Sequence, residues 1–207
     1  ILEISYTSRT LSFFDVYGGF RQNRRGGSGF LNIESMLGPG TLLAAREELS
    51  DPNFDSTIVV LCQHGSEGSY GFVLNRPAHM PLVELFENPP EMPSAPKNRK
   101  VYMGGPVQEG ELQILQVGLE PAPGSQEVSP GVYLGGAWTT LEEILSVDPK
   151  NLRLFLGYSG WGGGQLKREI ELGAWEVFQT DLQALLLSPE DAWFGGADPF
   201  KRFIATL

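Results

Sequence analysis

Cysteine is almost missing from this chain: Cys62 is the only one in 207 residues. A single thiol cannot close an intramolecular disulfide, which excludes a stapled extracellular framework and makes a reducing cytoplasm the natural compartment. Histidine is nearly as scarce. His64 and His79 are the whole supply, and neither stands at a metal-ligand spacing from another His or Cys, so no zinc site and no other cofactor is expected. Long apolar runs are absent too; stretches such as Ile58–Cys62 have the length of a strand, not of a membrane helix. The first residues lack the basic, apolar and small-residue succession of a secretory signal. A start at Ile1 in place of Met points to a processed, truncated or vector-derived end. Positive charge is in deficit, with 15 Lys and Arg against 25 Asp and Glu, a net −10. Such a field repels phosphate backbones and argues against nucleic acid as a direct partner.

What is present describes a globular protein. Apolar residues make up 41% and charged residues 19% of a chain long enough to bury a sizeable core. The 26 Gly and 15 Pro call for many tight turns and short elements. Residues 1–37 stand apart as an N-terminal extension, with RQNRRGGSG at 21–29 a flexible basic linker. Residues 38–207 read as a single α+β domain.

Within it, 41–45, 57–64 and 69–77 read as strands, the last ended by Pro77, and SDPNF at 50–54 reads as a turn. Residues 81–88 space Leu82, Leu85 and Phe86 on one helical face, and the Pro-rich 88–98 reads as a loop. Residues 100–105 and 111–117 suggest a hairpin, followed by a loop and a short strand at 132–136. Further strands are expected at 152–158 and 174–180. Helices with no Lys or Arg are expected at 139–147, 181–187 and 189–194, so no recognition helix for DNA is in view. The irregular mixing of elements fits a mixed sheet better than a doubly wound parallel one.

The most distinctive stretch is LRLFLGYSGWGGGQLKREIE, a strand, a glycine-rich turn and a helix. Phosphate sites are often built this way, but each known version lacks a residue here. Gly162 is followed by Gly163, Gly164 and Gln165 where a phosphate loop needs Lys and Ser or Thr, and Trp161 breaks a nucleophile elbow. The glycines are expected to let the chain turn closely under Trp161, with Leu166 and Ile170 packing the helix on the sheet. Cys62 and His64, two apart on a strand, should share a face, yet no third group orients them; Cys62 is expected in the core. The carboxylates of Glu142, Glu143, Glu169 and Glu171 read as solvated helix surface.

Several segments together, in order, resemble one family: SDPNF, LCQH (61–64), GFVLNRP (71–77), MGGPVQ (103–108), GVYLGG (131–136) and GYSGWGGGQLKREIELGAWEV (157–177). They are similar to the YqgE/AlgH family of largely uncharacterised bacterial proteins over about residues 38–195. The resemblance implies an α+β fold whose mixed, bifurcated β-sheet is rolled towards a pseudo-barrel with flanking helices. It also implies a link to transcriptional regulation for some members, and no established catalytic residues. The expectation is a cytoplasmic, non-enzymatic module that binds a protein or a small molecule and regulates indirectly. A site would gather Asn75, Arg76, Gly104, Gly105, Tyr158 and Trp161, which stand at strand ends where loops converge. The alternatives are a direct transcriptional regulator, or a hydrolase or transferase using Ser159 or Cys62.

Overall fold

A computed structural model of the chain describes residues 33–46, 49, 51–79, 100–137 and 151–188. The chain divides into two units, residues 1–31 and 32–207, and every described residue belongs to the second. The basic linker and the helices expected at 81–88, 139–147 and 189–194 lie outside the described residues, as does the Pro-rich loop.

The described elements are α1 (Ile33–Met36), β1 (Leu42–Ala45), β2 (Ile58–Gly65), β3 (Gly68–Val73), β4 (Tyr102–Met103), β5 (Val107–Val117), β6 (Gln126–Ser129), β7 (Val132–Leu134), β8 (Leu152–Gly162), α2 (Gln165–Glu171), β9 (Trp175–Phe178) and α3 (Leu182–Leu187). Eight strands follow the order β6-β7-β5-β8-β3-β2-β1-β9, and β4 joins β8 off that path. Apart from the parallel β4–β8 pair, every ladder is antiparallel.

The long strand β8 is where the sheet divides. One edge carries β5, from Leu112↔Leu156 to Gln116↔Leu152. The other edge is shared: β3 pairs with its last residues, Gly71↔Ser159 to Gly68↔Gly162, and β4 runs beside Phe155 and Leu156. As β3 and β8 part, Gly104 fills the fork. Its N–H donates to the Leu156 carbonyl at 2.7 Å, and its carbonyl accepts from the Val73 N–H at 2.9 Å. A Cβ on Gly104 would run into the Gly157 carbonyl and the Phe72 and Phe155 side chains, so only glycine fits there.

From β6 to β2 the sheet curls until its ends approach, and the Gln63 amide donates to the Gln126 carbonyl oxygen at 2.8 Å. A side-chain bond, not a ladder, spans this seam, so the sheet rolls towards a barrel and does not close into one. Inside the roll lies the main core, including Leu42, Val60, Cys62, Phe72, Leu115, Val132 and Phe155, with Leu182 and Leu186 of α3. Phe72 and Phe155 stack at 4.6 Å with nearly parallel rings, a contact worth about 0.5–1.5 kcal/mol beyond the area it buries. A second cluster, with Val101, Ile114, Leu152, Leu154 and Leu156, covers the other face of β5 and β8. Among the described residues no helix is long and apolar enough to cross a membrane.

Four local expectations are corrected. Residues 100–105 and 111–117 do not form a hairpin, because β4 and β5 lie on opposite edges of β8. The loop before 132–136 contains a strand, β6, paired with β7. The strand expected at 152–158 is longer: β8 continues through Ser159, Gly160 and Trp161 to Gly162 before the chain turns. Cys62 and His64 do not share a face, because the β2–β3 register shifts between Leu61 and Gln63. Cys62 enters the core, while His64 lies opposite Ser69.

Candidate functional site

Gly157 sets the geometry around the fork. Before it, Phe155 points into the roll while Leu154 and Leu156 point away. Gly157 adopts φ +66°, in the left-handed region. A single such residue shifts the alternation, as in a β-bulge, and after it Tyr158 packs on the inner core. A Cβ here would press on the carbonyls of Gly105 and Val107.

Beyond that point the alternation is strict: Ser159 and Trp161 are buried, Gly160 and Gly162 exposed. The Tyr158 ring lies over Gly160, where an added Cβ would meet Cε2 at 3.2 Å. It also packs on Tyr70 with ring centroids 4.6 Å apart. Tyr70 in turn meets Phe72 edge-on at 5.3 Å and donates from its hydroxyl to Gln113 at 3.2 Å. Burial, and then the neighbouring Cys62, Tyr158 and Glu111, hold the Tyr70 phenol well above its ordinary range. Two half-buried tyrosines therefore stand at the mouth of the roll, above the filled core.

On the opposite face the strand meets α2. Trp161 stacks on Phe54 at 6.1 Å and meets Trp175 edge-on at 5.9 Å; Phe54 and Trp175 are 5.4 Å apart. The indole N–H groups of Trp161 and Trp175 both donate to the same oxygen of Glu169, each at 2.9 Å. Its other oxygen accepts from the Gln165 amide at 2.9 Å, and Gln165 accepts from the Gly162 N–H at 3.0 Å. Glu169, expected on the helix surface, is thus 7% exposed. Its position in QLKREIE gave no hint of this, because its partners come from the strands on either side of the helix. A Cβ on Gly163 would strike the Ser66 carbonyl of the β2–β3 turn. The glycine turn is packed against protein, and α2 is short.

The segment 51–57 ties these parts together. Asp51 accepts from the Asn53 N–H at 2.8 Å, so residues 51–54 turn as expected. Asn75 accepts from the Ile58 N–H at 2.9 Å and donates to the Ser56 carbonyl at 2.8 Å. Arg76 donates to the carbonyls of Asn53 at 2.8 Å and Asp55 at 3.3 Å, and its own carbonyl accepts from the Met103 N–H. Of the six residues expected at a site, Asn75, Arg76, Gly104, Gly105 and Tyr158 lie around the fork; the Trp161 side chain faces away, into the Phe54–Trp175 cluster. Cross-strand pairing also sets Tyr70 against Tyr158 and Gln113 against the Tyr70 hydroxyl, neighbours that residue order does not suggest.

The candidate nucleophiles are occupied or covered. Ser159 is fully buried and donates to the Gly104 carbonyl at 3.0 Å. Cys62 is fully buried, and burial pushes its thiol well above the usual range, away from the reactive thiolate. The structure adds one pair that the sequence did not suggest, His64 Nδ1 and Ser69 Oγ at 2.8 Å, with Ser69 8% exposed. Among the described residues no group of three or more His, Cys, Asp or Glu is arranged to hold a metal ion.

This chain belongs to the AlgH-like family, whose sequence model matches residues 42–197. A UPF0301 protein of Chlorobaculum tepidum is 37% identical over 147 residues, covering 70% of this chain and 76% of that protein. One from Myxococcus xanthus is 35% identical over 172 residues, covering 83% and 89%. The solution structure of the AlgH protein from Pseudomonas aeruginosa superposes with a TM-score of 0.63 at 26% identity, over 88% of this chain and 90% of that one. A crystal structure of a Corynebacterium diphtheriae protein shares the fold, with a TM-score of 0.65 at 20% identity over 83% and 87%.

Proposed function

We propose that this chain is a binding module without catalytic chemistry of its own, which regulates through a protein or small-molecule partner and not by touching nucleic acid. The observation that carries it is the mouth of the roll. Tyr158 and Tyr70 hold half-buried rings there, and the Tyr158 hydroxyl has no hydrogen-bond partner among the described residues. Mouths of rolled sheets are habitual binding places. Of the six expected site residues, Tyr158 would touch the ligand. Asn75, Arg76, Gly104, Gly105 and Trp161 would hold the surrounding frame.

The test is a thermal-shift screen of the full chain against metabolites and peptides, repeated with Tyr158→Leu and Arg76→Ala. A specific ligand raises the unfolding temperature with its saturation. Loss of that rise in Tyr158→Leu is the expected result; a rise unchanged in both variants would overturn the assignment. A salt-sensitive gel shift on promoter DNA would overturn the indirect route.

One observation favours a second reading, a serine hydrolase: the His64–Ser69 pair, in which an imidazole could take the hydroxyl proton. A fluorophosphonate probe decides it. Labelling of folded protein that vanishes in Ser69→Ala would establish the hydrolase and sink the non-enzymatic reading.

A further inference from the structure

The segments that build the mouth share a property of charge. Residues 57–75, 101–137 and 154–166 contain no Lys or Arg and five glutamates: Glu67, Glu109, Glu111, Glu120 and Glu127. Several of the described cations have partners of their own. Arg46 faces Glu176 at 3.8 Å, Arg76 holds the 51–57 segment, and Arg153 donates to the Leu186 carbonyl at the end of α3.

Glu111 is exposed, and its carboxylate has no hydrogen bond or ion pair among the described residues. It stands two residues before Gln113, the partner of the Tyr70 hydroxyl, and its charge acts on the Tyr70 phenol. An exposed carboxylate near half-buried tyrosine rings, on segments that carry no Lys or Arg, is the chemistry that recognises a cation. A guanidinium suits it better than an ammonium, because it stacks on aromatic faces, offers a planar fork to a carboxylate and loses less hydration on contact.

The depth of the mouth decides what carries that cation. Beneath the rings the roll is filled: Cys62, Phe72, Leu115 and Phe155 are buried in one contiguous core. A small molecule bound tightly is enclosed on most sides, and here it could be met from one side only. A side chain delivered by a larger partner needs no such enclosure. We propose that the mouth of the rolled sheet receives an arginine from a basic segment of a partner protein, its guanidinium stacked on Tyr158 and Tyr70 and paired with Glu111. This rests on the mouth being the binding surface.

The experiment is fluorescence anisotropy of the full chain with a fluorescein-labelled Gly/Ser peptide bearing three arginines. Matched lysine and citrulline peptides and free L-arginine ethyl ester serve as comparisons. The arginine peptide should bind several-fold tighter than the lysine peptide, and the citrulline peptide should not bind. Glu111→Gln and Tyr158→Leu should each weaken binding about fivefold or more. Glu171→Gln, the same charge change on the exposed side of α2, should leave it unchanged. Glu111 is exposed, so its variant stays informative even if Tyr158→Leu folds poorly.

Equal weakening by Glu111→Gln and Glu171→Gln would reduce the effect to diffuse acidity and overturn the proposal. Arginine and citrulline peptides binding alike would overturn it as well. Binding of the free ester as tight as the peptide would overturn the partner-protein part in favour of a small cation. If no arginine probe binds, yet another ligand is lost in Tyr158→Leu, this inference falls and the binding mouth stands. If that ligand survives Tyr158→Leu, the mouth itself is wrong.

Discussion

Replacing Glu169 by alanine removes the acceptor shared by two buried indoles. Trp161 and Trp175 are 5% and 3% exposed, so their N–H groups have no easy route to water. Each buried donor left without a partner costs about 1–3 kcal/mol. Gln165, at the edge of the cluster, can turn its amide to solvent, so the two indoles dominate the loss. The sum is roughly 2–6 kcal/mol, a large part of the 5–15 kcal/mol that usually holds a domain together. At about 2–4 °C per kcal/mol for a chain of this size, the unfolding temperature should fall by roughly 5–20 °C.

Glu169→Gln should cost less but not nothing. Turning its one remaining acceptor to the indoles points its NH₂ at the Gln165 amide nitrogen. If Gln165 flips to accept, the Gly162 N–H loses its bond. Glu171→Ala, on the exposed side of the same helix, serves as the control and should stay within about 0.5 kcal/mol of the parent. Urea unfolding followed by circular dichroism reads all three. A Glu169→Ala midpoint equal to that of Glu171→Ala would refute the reasoning, because the indoles would then have found other acceptors.

Three further outcomes follow from the same geometry. Gly157→Ala forces an L side chain into the left-handed region, at about 1–2 kcal/mol, and against two carbonyls besides; calorimetry should show a loss of at least that size. Asn75→Ala strands the buried Ile58 N–H and should cost about 1–3 kcal/mol, whereas Arg76→Ala should loosen residues 51–57 locally, read as faster amide exchange there with little change in global stability. Cys62 should resist thiol reagents until the protein unfolds. Its folded pKa is raised, so the stability gained by keeping it protonated is complete below the unfolded thiol's value of about 8.5 and declines as pH rises past it; Cys62→Ala should flatten that alkaline decline in urea midpoints.

Much of the architecture is local and could be read from residue order. The β-branched run at 57–64 forms β2 because such side chains suit a pleated, buried surface, and Asp51 with Pro52 and Asn53 forms its turn through bonds within four residues. Leu166 packs inward as the helical spacing predicts. The glycine-rich stretch marked the family as well, since its residues are neighbours in the chain.

Tertiary structure decided the rest, through partners on different elements that local periodicity does not join. Nothing near Glu169 says that Trp161 and Trp175 will both reach it; local spacing made it a surface carboxylate, and burial was set by strands on either side of its helix. Nothing near residues 100–117 says that β4 and β5 will take opposite edges of β8, because a hairpin satisfies the same local pattern. The mouth is of the same kind. Tyr158, Tyr70, Gln113 and Glu111 come from three strands, and a left-handed Gly157 turns Tyr158 towards the others. Residue order by itself determined strands, turns and the family; only the pairing of distant strands set Tyr70 against Tyr158 and bonded its hydroxyl to Gln113.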